Sequence, residues 1–516
     1  MVIDGLRGSL EKPEQRSTAR LEAHDDLDAR QAGEVSTAVS STSEAASQPR
    51  GGSGGGGGAH DLVVVANRLP VRRGSDGGWS MSPGGLVSAV KPVMERRPGA
   101  WIGWSGEVDD HLGAFEHEGI TLRPVSLTQD DIDDFYEGFS NGTLWPLYHG
   151  GIQPANIHRH WWDAYRRVNE RFAKAAIETV GPGGTVWVHD YHLQLVPALV
   201  REARPDVSIA FFLHTPFPPT ELLLRLPWRE ELAKGLMGAD IIGLQTKIDT
   251  RHVLALCRRV LGLPEVTLAE SHVDVVWEGR AVRIGAYPIA IDTEQVQALA
   301  ADTATQEAAV ALRASLGNPR WVILGVDRLD YTKGIDARLR ALAELLEEGR
   351  LHADDVALVQ VATPSRKDVI GYSEMRVEVE RLSGAINGDF ASVGHPVVHY
   401  LHQSFSFEEL MVMYLAADVM LVTPYRDGMN LVAKEYVAAR LDGTGTILLS
   451  EFAGTAEEFV EALTCNPFDI DGMKNAIMHA LGMPVAEQTN ILNALQARLQ
   501  ASSVHDWARN FLGELD

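Results

Sequence analysis

Short, near-continuous apolar runs recur along the chain from residue 62 onward. Leu62-Val63-Val64-Val65-Ala66 comes first; Thr185–Val188, Ile209–Leu213, Ile241–Leu244, Trp321–Val326, Val356–Val361, Val419–Val422 and Thr446–Leu449 follow. Runs this short, with no polar alternation, read as strands buried on both faces, as in parallel sheets. Between them lie segments whose apolar positions repeat with helical spacing, among them Thr250–Leu261, Ile335–Leu346, Tyr372–Ile386 and Phe407–Leu415. Strands alternating with helices predict an α/β fold with helices on both sheet faces. The patterned stretch is too long for one comfortable sheet, so the expectation is two doubly wound parallel-sheet domains facing a cleft. The seam is expected near Tyr287-Pro288-Ile289-Ala290-Ile291-Asp292, dividing the chain into 59–288 and 289–516. No internal repeat is visible.

Residues 1–58 break the pattern. They are rich in Ser, Thr, Ala, Glu and Asp, and in Gly51–Gly58 only Ser53 is not glycine. Such a stretch cannot recover its ordering entropy by burial, so it is expected to be a disordered, solvated tail, with a regulatory contact as the alternative.

Composition narrows the function classes. The 516 residues are 45% hydrophobic and carry a formal charge of −24. So acidic a chain is expected to bind neither nucleic acid nor a membrane surface, both of which need a basic footprint. A phosphate-bearing ligand would have to meet a local basic pocket. Cys257 and Cys465 cannot form a disulfide framework and have no zinc-like spacing, which fits a reducing cytoplasm. No apolar run approaches 18 residues, and the first residues lack the apolar segment of a signal peptide.

Three segments carry chemistry. Val326-Asp327-Arg328-Leu329-Asp330-Tyr331-Thr332-Lys333-Gly334 follows a strand and opens a helix. There Arg328 and Lys333 can grip a diphosphate, although two solvated surface cations would look the same. In Pro424–Glu435 a strand ends at Val422 and a helix starts near Asn430, whose first-turn amides make an anion site. Asp427 suits a sugar hydroxyl. Glu435 lies one helical turn after Leu431, placed for ribose hydroxyls. The alternative is a capping Asp427 and a first-turn charge at Glu435. In the third segment, Asn67-Arg68-Leu69-Pro70 ends the first strand and Pro83-Gly84-Gly85-Leu86 opens a helix. Paired glycines allow close approach of phosphate to backbone, or simply make a turn. His189-Asp190-Tyr191-His192 and His214-Thr215-Pro216 follow two further strands, so their polar groups should point into one cleft.

Metal sites are not expected. His189 and His192 lack a third ligand. The triplets Asp131–Asp133 and Asp469–Asp471 match the metal motif of another transferase class but sit where helices begin, and Thr128 with Asp131 fits a capping box. Asp442-Gly443-Thr444 resembles a phosphatase loop, but Arg440 stands where an acid would be needed.

Taken together, the segments resemble the trehalose-6-phosphate synthase family from about Leu62 to the C-terminus. The resemblance includes Trp101–Glu107 (WIGWSGE), Phe139–Pro146 (FSNGTLWP), His189–His192, His214, Arg328–Gly334, Thr363–Arg366 (TPSR) and Arg426–Glu435 (RDGMNLVAKE). It implies a retaining glycosyltransferase of GT-B type with two Rossmann-like domains, the last helices crossing back to the first. The implied reaction moves glucose from a nucleoside-diphosphate glucose to glucose 6-phosphate, with no cofactor or metal. Arg68, Tyr136, Trp145 and Arg366 would hold the acceptor phosphate, and Asp190 the acceptor hydroxyls near the reacting centre. Gly84, Gly85, Arg328 and Lys333 would bind donor phosphates. His214 also falls on the donor side. Asp427, Gly428, Met429 and Asn430 would hold the donor glucose, the Leu431 and Val432 backbone its diphosphate, and Glu435 its ribose. Asp190, Arg328 and Lys333 are the expected catalytic set, and a homo-oligomer is expected. A relative using glycerol 3-phosphate or a cyclitol phosphate, and a sensor without turnover, remain as alternatives; the donor base is left open.

Overall fold

The computed structural model describes residues 60–74, 77–82, 85–97, 99–268, 270–365 and 370–515. The expectation for residues 1–58 therefore lies outside the described residues, as do Gly84 and Arg366.

Two sheets organise the described chain. The first has nine strands in the order His272–Trp277, Arg280–Ala286, Ile241–Leu244, Ser208–Phe212, Val180–His189, His60–Arg68, Ala100–Trp104, Ile120–Pro124 and Phe115–His117. The seven central strands are parallel, and an antiparallel strand closes each edge. The apolar-run reading did not predict these edges, because half-exposed edge strands have mixed composition. The second sheet is wholly parallel: Val398–Leu401, Val356–Thr363, Trp321–Arg328, Val419–Val422, Thr446–Ser450 and Leu463–Cys465.

Both faces of each sheet are covered, which is why the strands read as continuous apolar runs. Along the first strand Val63 and Val65 enter one core cluster, while Leu62, Val64 and Ala66 enter the opposite one. The second sheet divides likewise, Ile323 facing one core and Val322 with Leu324 the other. Successive residues thus serve two cores with the strand's period of two.

Strand order decides where a ligand can sit. From the His60–Arg68 strand the chain first adds strands on one side, then returns to Val180–His189 on the other. From Trp321–Arg328 it builds outward to Val398–Leu401, then crosses back to Val419–Val422. Each reversal opens a crevice at the strands' carboxyl ends. Arg68 and Asp190 border the first crevice; Arg328 and the loop after Val422 border the second.

Tyr287–Asp292 leads from the first sheet to the Thr293–Ala301 helix. The Val485–Gln500 helix adds Leu492, Leu495 and Leu499 to a core of the second sheet. The helix Val504–Gly513 returns to the first, where Trp507 and Phe511 pack on Trp187 and Phe212.

Candidate active site

The first wall is built on the end of the His60–Arg68 strand. Arg68 lies over the Trp104 ring, 4.5 Å from its centroid. Gly106 runs beneath it at φ +102°, and a Cβ there would fall 2.1 Å from an Arg68 nitrogen. The guanidinium is open to solvent yet surrounded by protein, and that desolvation lowers its pKa from the ordinary value, with Tyr136 opposing the shift. A guanidinium so placed can fork onto an anion.

Tyr136 reaches the same wall by an unusual route. Residues Ile132–Leu144 wind as a π-helix, and the Trp145 N–H donates to Ser140 five residues back. Gly138 and Gly142 let this wide helix close on Trp161, since a Cβ at Gly138 would sit 2.7 Å from that ring. Tyr136 stacks on His192 and meets Trp104 edge-on. π-Turns inside helices concentrate at functional sites because they re-aim side chains.

Asp190 terminates the Val180–His189 strand at φ +71°, ψ 170°, a region that residues other than glycine rarely adopt. Its N–H donates to Phe212 O at 2.8 Å. A buried polar network fixes the following turn: the Tyr165 hydroxyl donates to Tyr191 O at 2.8 Å, and Asn169 Nδ2 donates to His192 O at 3.0 Å. Beside it His189 Nδ1 lies 3.0 Å from His214 Nε2, so one ring donates to the other. Burial lowers both pKa values, His214 to about 3 although it is partly exposed, so the pair is neutral near pH 7.

The second wall comes from the other sheet. Lys333 Nζ lies 2.6 Å from Asp427 Oδ2, and both side chains are largely buried. Burial raises the Asp427 pKa, but the Lys333 charge and hydrogen bond more than offset this and hold it below the ordinary 3.8. Asp427 also accepts from Gly428 N–H at 3.0 Å and Asn430 Nδ2 at 3.2 Å. Asp427 is therefore not the helix cap. That is Asn430, at φ +98°, whose Oδ1 accepts from Ala433 N–H as the Leu431–Ala439 helix begins. The amides of Leu431 and Val432 lie in this first turn, before regular helical bonding can engage them. Glu435 accepts from the Tyr414 hydroxyl at 2.8 Å, and burial raises its pKa.

Contacts between the walls are close. Arg328 lies over the Trp145 ring, 5.2 Å from its centroid. Gly428 packs on the His214–Thr215 backbone so tightly that a Cβ would lie 2.3 Å from His214 O. Gly85 begins the Gly85–Arg96 helix. Within the Asp427–Asn430 segment, the Met429 side chain is buried in a core with Trp507 and Ile289. Its carbonyl accepts from the Thr455 N–H, so it steadies the loop from behind.

Several site residues were not read from sequence. Trp104 sat inside a quoted motif without a role. His149 is buried against Trp145 and donates from Nδ1 to its carbonyl at 2.9 Å. Burial pushes its pKa down to about 3, while Asp330, Lys333 and Asp427 also act on it, which places it beside the second wall. A lone histidine after a helical turn gives no signal in sequence. Beneath everything, fully buried Arg338 bonds Asp327 at 2.7 Å, Gln360 Oε1, Thr423 Oγ1 and Lys333 O, tying both strand ends together.

The acid triplets are engaged elsewhere. Thr128 and Asp131 form a reciprocal cap and Asp131 pairs with Arg171; Asp469 caps Ile470–Gly482 through Gly472 N–H. Among the described residues one acid group, Glu344, Glu348 and Asp471, has metal-like spacing. Lys474 Nζ already lies 2.6–2.8 Å from all three.

Residues 60–516 match the family model for glycosyltransferase family 20. The trehalose-6-phosphate synthase of Mycolicibacterium paratuberculosis is 50% identical over 481 residues, covering 90% of this chain and 97% of that protein. That of Mycolicibacterium smegmatis is 50% identical over 463 residues, covering 88% and 92%. The alpha,alpha-trehalose-phosphate synthase (UDP-forming) of Burkholderia xenovorans, solved in complex with glucose-6-phosphate, superposes with a TM-score of 0.82 at 34% identity, covering 88% and 99%. The chain belongs to glycosyltransferase family 20.

Proposed function

We propose that this protein makes trehalose 6-phosphate by moving glucose, with retention, from a nucleoside-diphosphate glucose to glucose 6-phosphate. The observation carrying this reading is the pair of walls: Arg68 with Tyr136 at one switch point, and Arg328, Lys333 and the Leu431–Ala439 helix start at the other, joined through Arg328 on Trp145. Two separate cationic ends suit one phosphorylated acceptor and one diphosphate leaving group.

Residues 59–288 then form the acceptor domain and 289–516 the nucleotide-sugar domain. Arg68, Tyr136 and Trp145, with Arg366 beyond the described residues, hold the acceptor phosphate. Asp190 orients the acceptor hydroxyl. The bond from the donor's anomeric carbon to the phosphate oxygen breaks as the acceptor oxygen bonds to the same face of that carbon. The acceptor's proton passes to the departing phosphate oxygen. Charge grows on that leaving group, so Arg328, Lys333 and the Leu431 and Val432 amides act where the transition state needs them. The Lys333–Asp427 bond holds the ammonium in the site before the donor arrives, and Asp427 Oδ1, which takes one bond from Gly428 N–H, keeps a lone pair for a sugar hydroxyl.

The donor is UDP-glucose, its base uracil, by analogy with the UDP-forming relatives. The reading also includes a cytoplasmic location, consistent with the two buried free cysteines, and a homo-oligomer. The test offers UDP-, ADP- and GDP-glucose with glucose 6-phosphate and identifies products by mass and anomeric NMR. Trehalose 6-phosphate from UDP-glucose is expected. Transfer only to another phosphorylated acceptor, or no transfer, would overturn the reading.

A further inference from the structure

A second cavity lies at the opposite end of the first sheet, where the strands begin. It is a half-open hollow of about 380 Å³, within the range of small-molecule sites. Thr185, within the Val180–His189 strand, pairs with Ser208, the first residue of the next strand; both line it, and the Gly85–Arg96 and Val504–Gly513 helices bring residues around it. Three basic groups, Arg97, His505 and Arg509, line it beside apolar Val93 and Leu512. No carboxylate belongs to its described lining, in a protein with 24 more acidic than basic residues. Arg509 pairs with Asp506 at 3.0 Å, outside that lining, which leaves further N–H groups of its fork for a ligand.

The Val504–Gly513 helix has two working faces. His505, Arg509 and Leu512, at helical spacing, face the cavity. Trp507 and Phe511 pack on Trp187 and Phe212, whose rings touch His189 and His214 at 4.5 and 4.8 Å between centroids. The same helix is tied to the crossover between the sheets: Trp507 Nε1 donates to Tyr287 O at 3.0 Å, and Val504 N–H to Ile291 O. A ligand pressing on one face therefore acts on the turn that carries Asp190 and on the link between the sheets.

We propose that this cavity binds a small organic anion, a phosphate or carboxylate on an apolar body, and that its occupancy is coupled to nucleotide binding in the cleft. Coupling must be reciprocal, so it is readable from either ligand. The probe is phenyl phosphate, titrated calorimetrically into the full chain with UDP and glucose 6-phosphate saturating, so that the cleft is filled. One equivalent should bind, inorganic phosphate should bind at least tenfold more weakly, and benzyl alcohol should give no heat. Arg97→Ala and Arg509→Glu, both at exposed positions, should each weaken binding about tenfold or more while melting like the parent. UDP affinity should shift at least threefold with phenyl phosphate in the parent and not in Arg509→Glu. The proposal is overturned if no heat is seen, if glucose 6-phosphate displaces the probe, if the arginine variants bind normally, or if UDP affinity does not move. None of these readouts depends on glucosyl transfer.

Discussion

Lys333 Nζ sits 2.6 Å from Asp427 Oδ2, joining the cation proposed for donor phosphate to the acid proposed for donor sugar. Neither stands alone in the cleft, so their substitutions cannot act independently. Lys333→Ala should cut turnover by roughly 10- to 150-fold, the loss of a charge-assisted contact worth about 1.5–3 kcal/mol. It should also destabilise the protein, because it leaves a buried carboxylate unpaired. The pH dependence carries the sign. Asp427 titrates below its ordinary 3.8, so its contribution is complete above that pH and lost as pH falls through the depressed folded value. In Lys333→Ala burial is left to raise the folded carboxyl pKa, so the sign reverses: the penalty of the unpaired buried carboxylate is full at high pH and is relieved as pH falls through the raised value, as melting temperature against pH would reveal. Identical melting profiles for parent and variant would break the assignment.

Metal dependence gives a simpler experiment. Both Asp-x-Asp triplets are engaged at helix starts, and the proposed mechanism sets cations and helix amides against the leaving group. EDTA is expected to leave the steady-state rate nearly unchanged. Complete loss restored by Mg²⁺ or Mn²⁺ would contradict this.

What could be read in sequence divides along physical lines. Runs such as Leu62–Ala66 and Val419–Val422 are apolar on both faces because both faces are buried, so the parallel strands were legible. The Phe115–His117 and His272–Trp277 edges were not, since edge strands are half solvated and their composition says little. Arg328, Lys333 and Asp427 announced themselves by following strands. The pairing of Lys333 with Asp427 spans 94 residues and no local pattern encodes it. His149 and the Tyr165–Asn169 network were invisible for the same reason: their meaning comes from packing. Met429 entered the donor-glucose set only through the family resemblance of the Asp427–Asn430 segment, and its apolar side chain is buried in a core.

Asp190 offers a test in which stability and activity move oppositely. At φ +71° and ψ 170° it occupies backbone space that suits glycine, at a cost of about 1–3 kcal/mol. Asp190→Gly should relieve that strain and raise the melting temperature, while removal of the carboxylate lowers kcat/KM for the acceptor. Asp190→Ala should lose activity without the gain in stability. A glycine variant that melts lower than the alanine variant would mean the turn is held by side-chain contacts and carries no strain.

Arg68 decides which substrate enters which side of the cleft. Its guanidinium is held over Trp104 at 4.5 Å and passes close above Gly106, so its position is set before a ligand arrives. Preorganisation of that kind favours a forked contact to phosphate. The parent should prefer glucose 6-phosphate strongly over free glucose, since free glucose leaves a desolvated cation without its anion. Arg68→Ala should erode that preference by about 1.5–3 kcal/mol, with nucleotide affinity close to normal because Arg328 and Lys333 belong to the other sheet. Arg68→Lys should restore part of the preference, since a point charge keeps the attraction but loses the fork and part of the stacking on Trp104. The measurement is kcat/KM for both acceptors at saturating donor, with calorimetric binding of UDP alongside. If UDP binding collapses while acceptor discrimination survives, Arg68 faces the donor and the two walls of the cleft exchange roles.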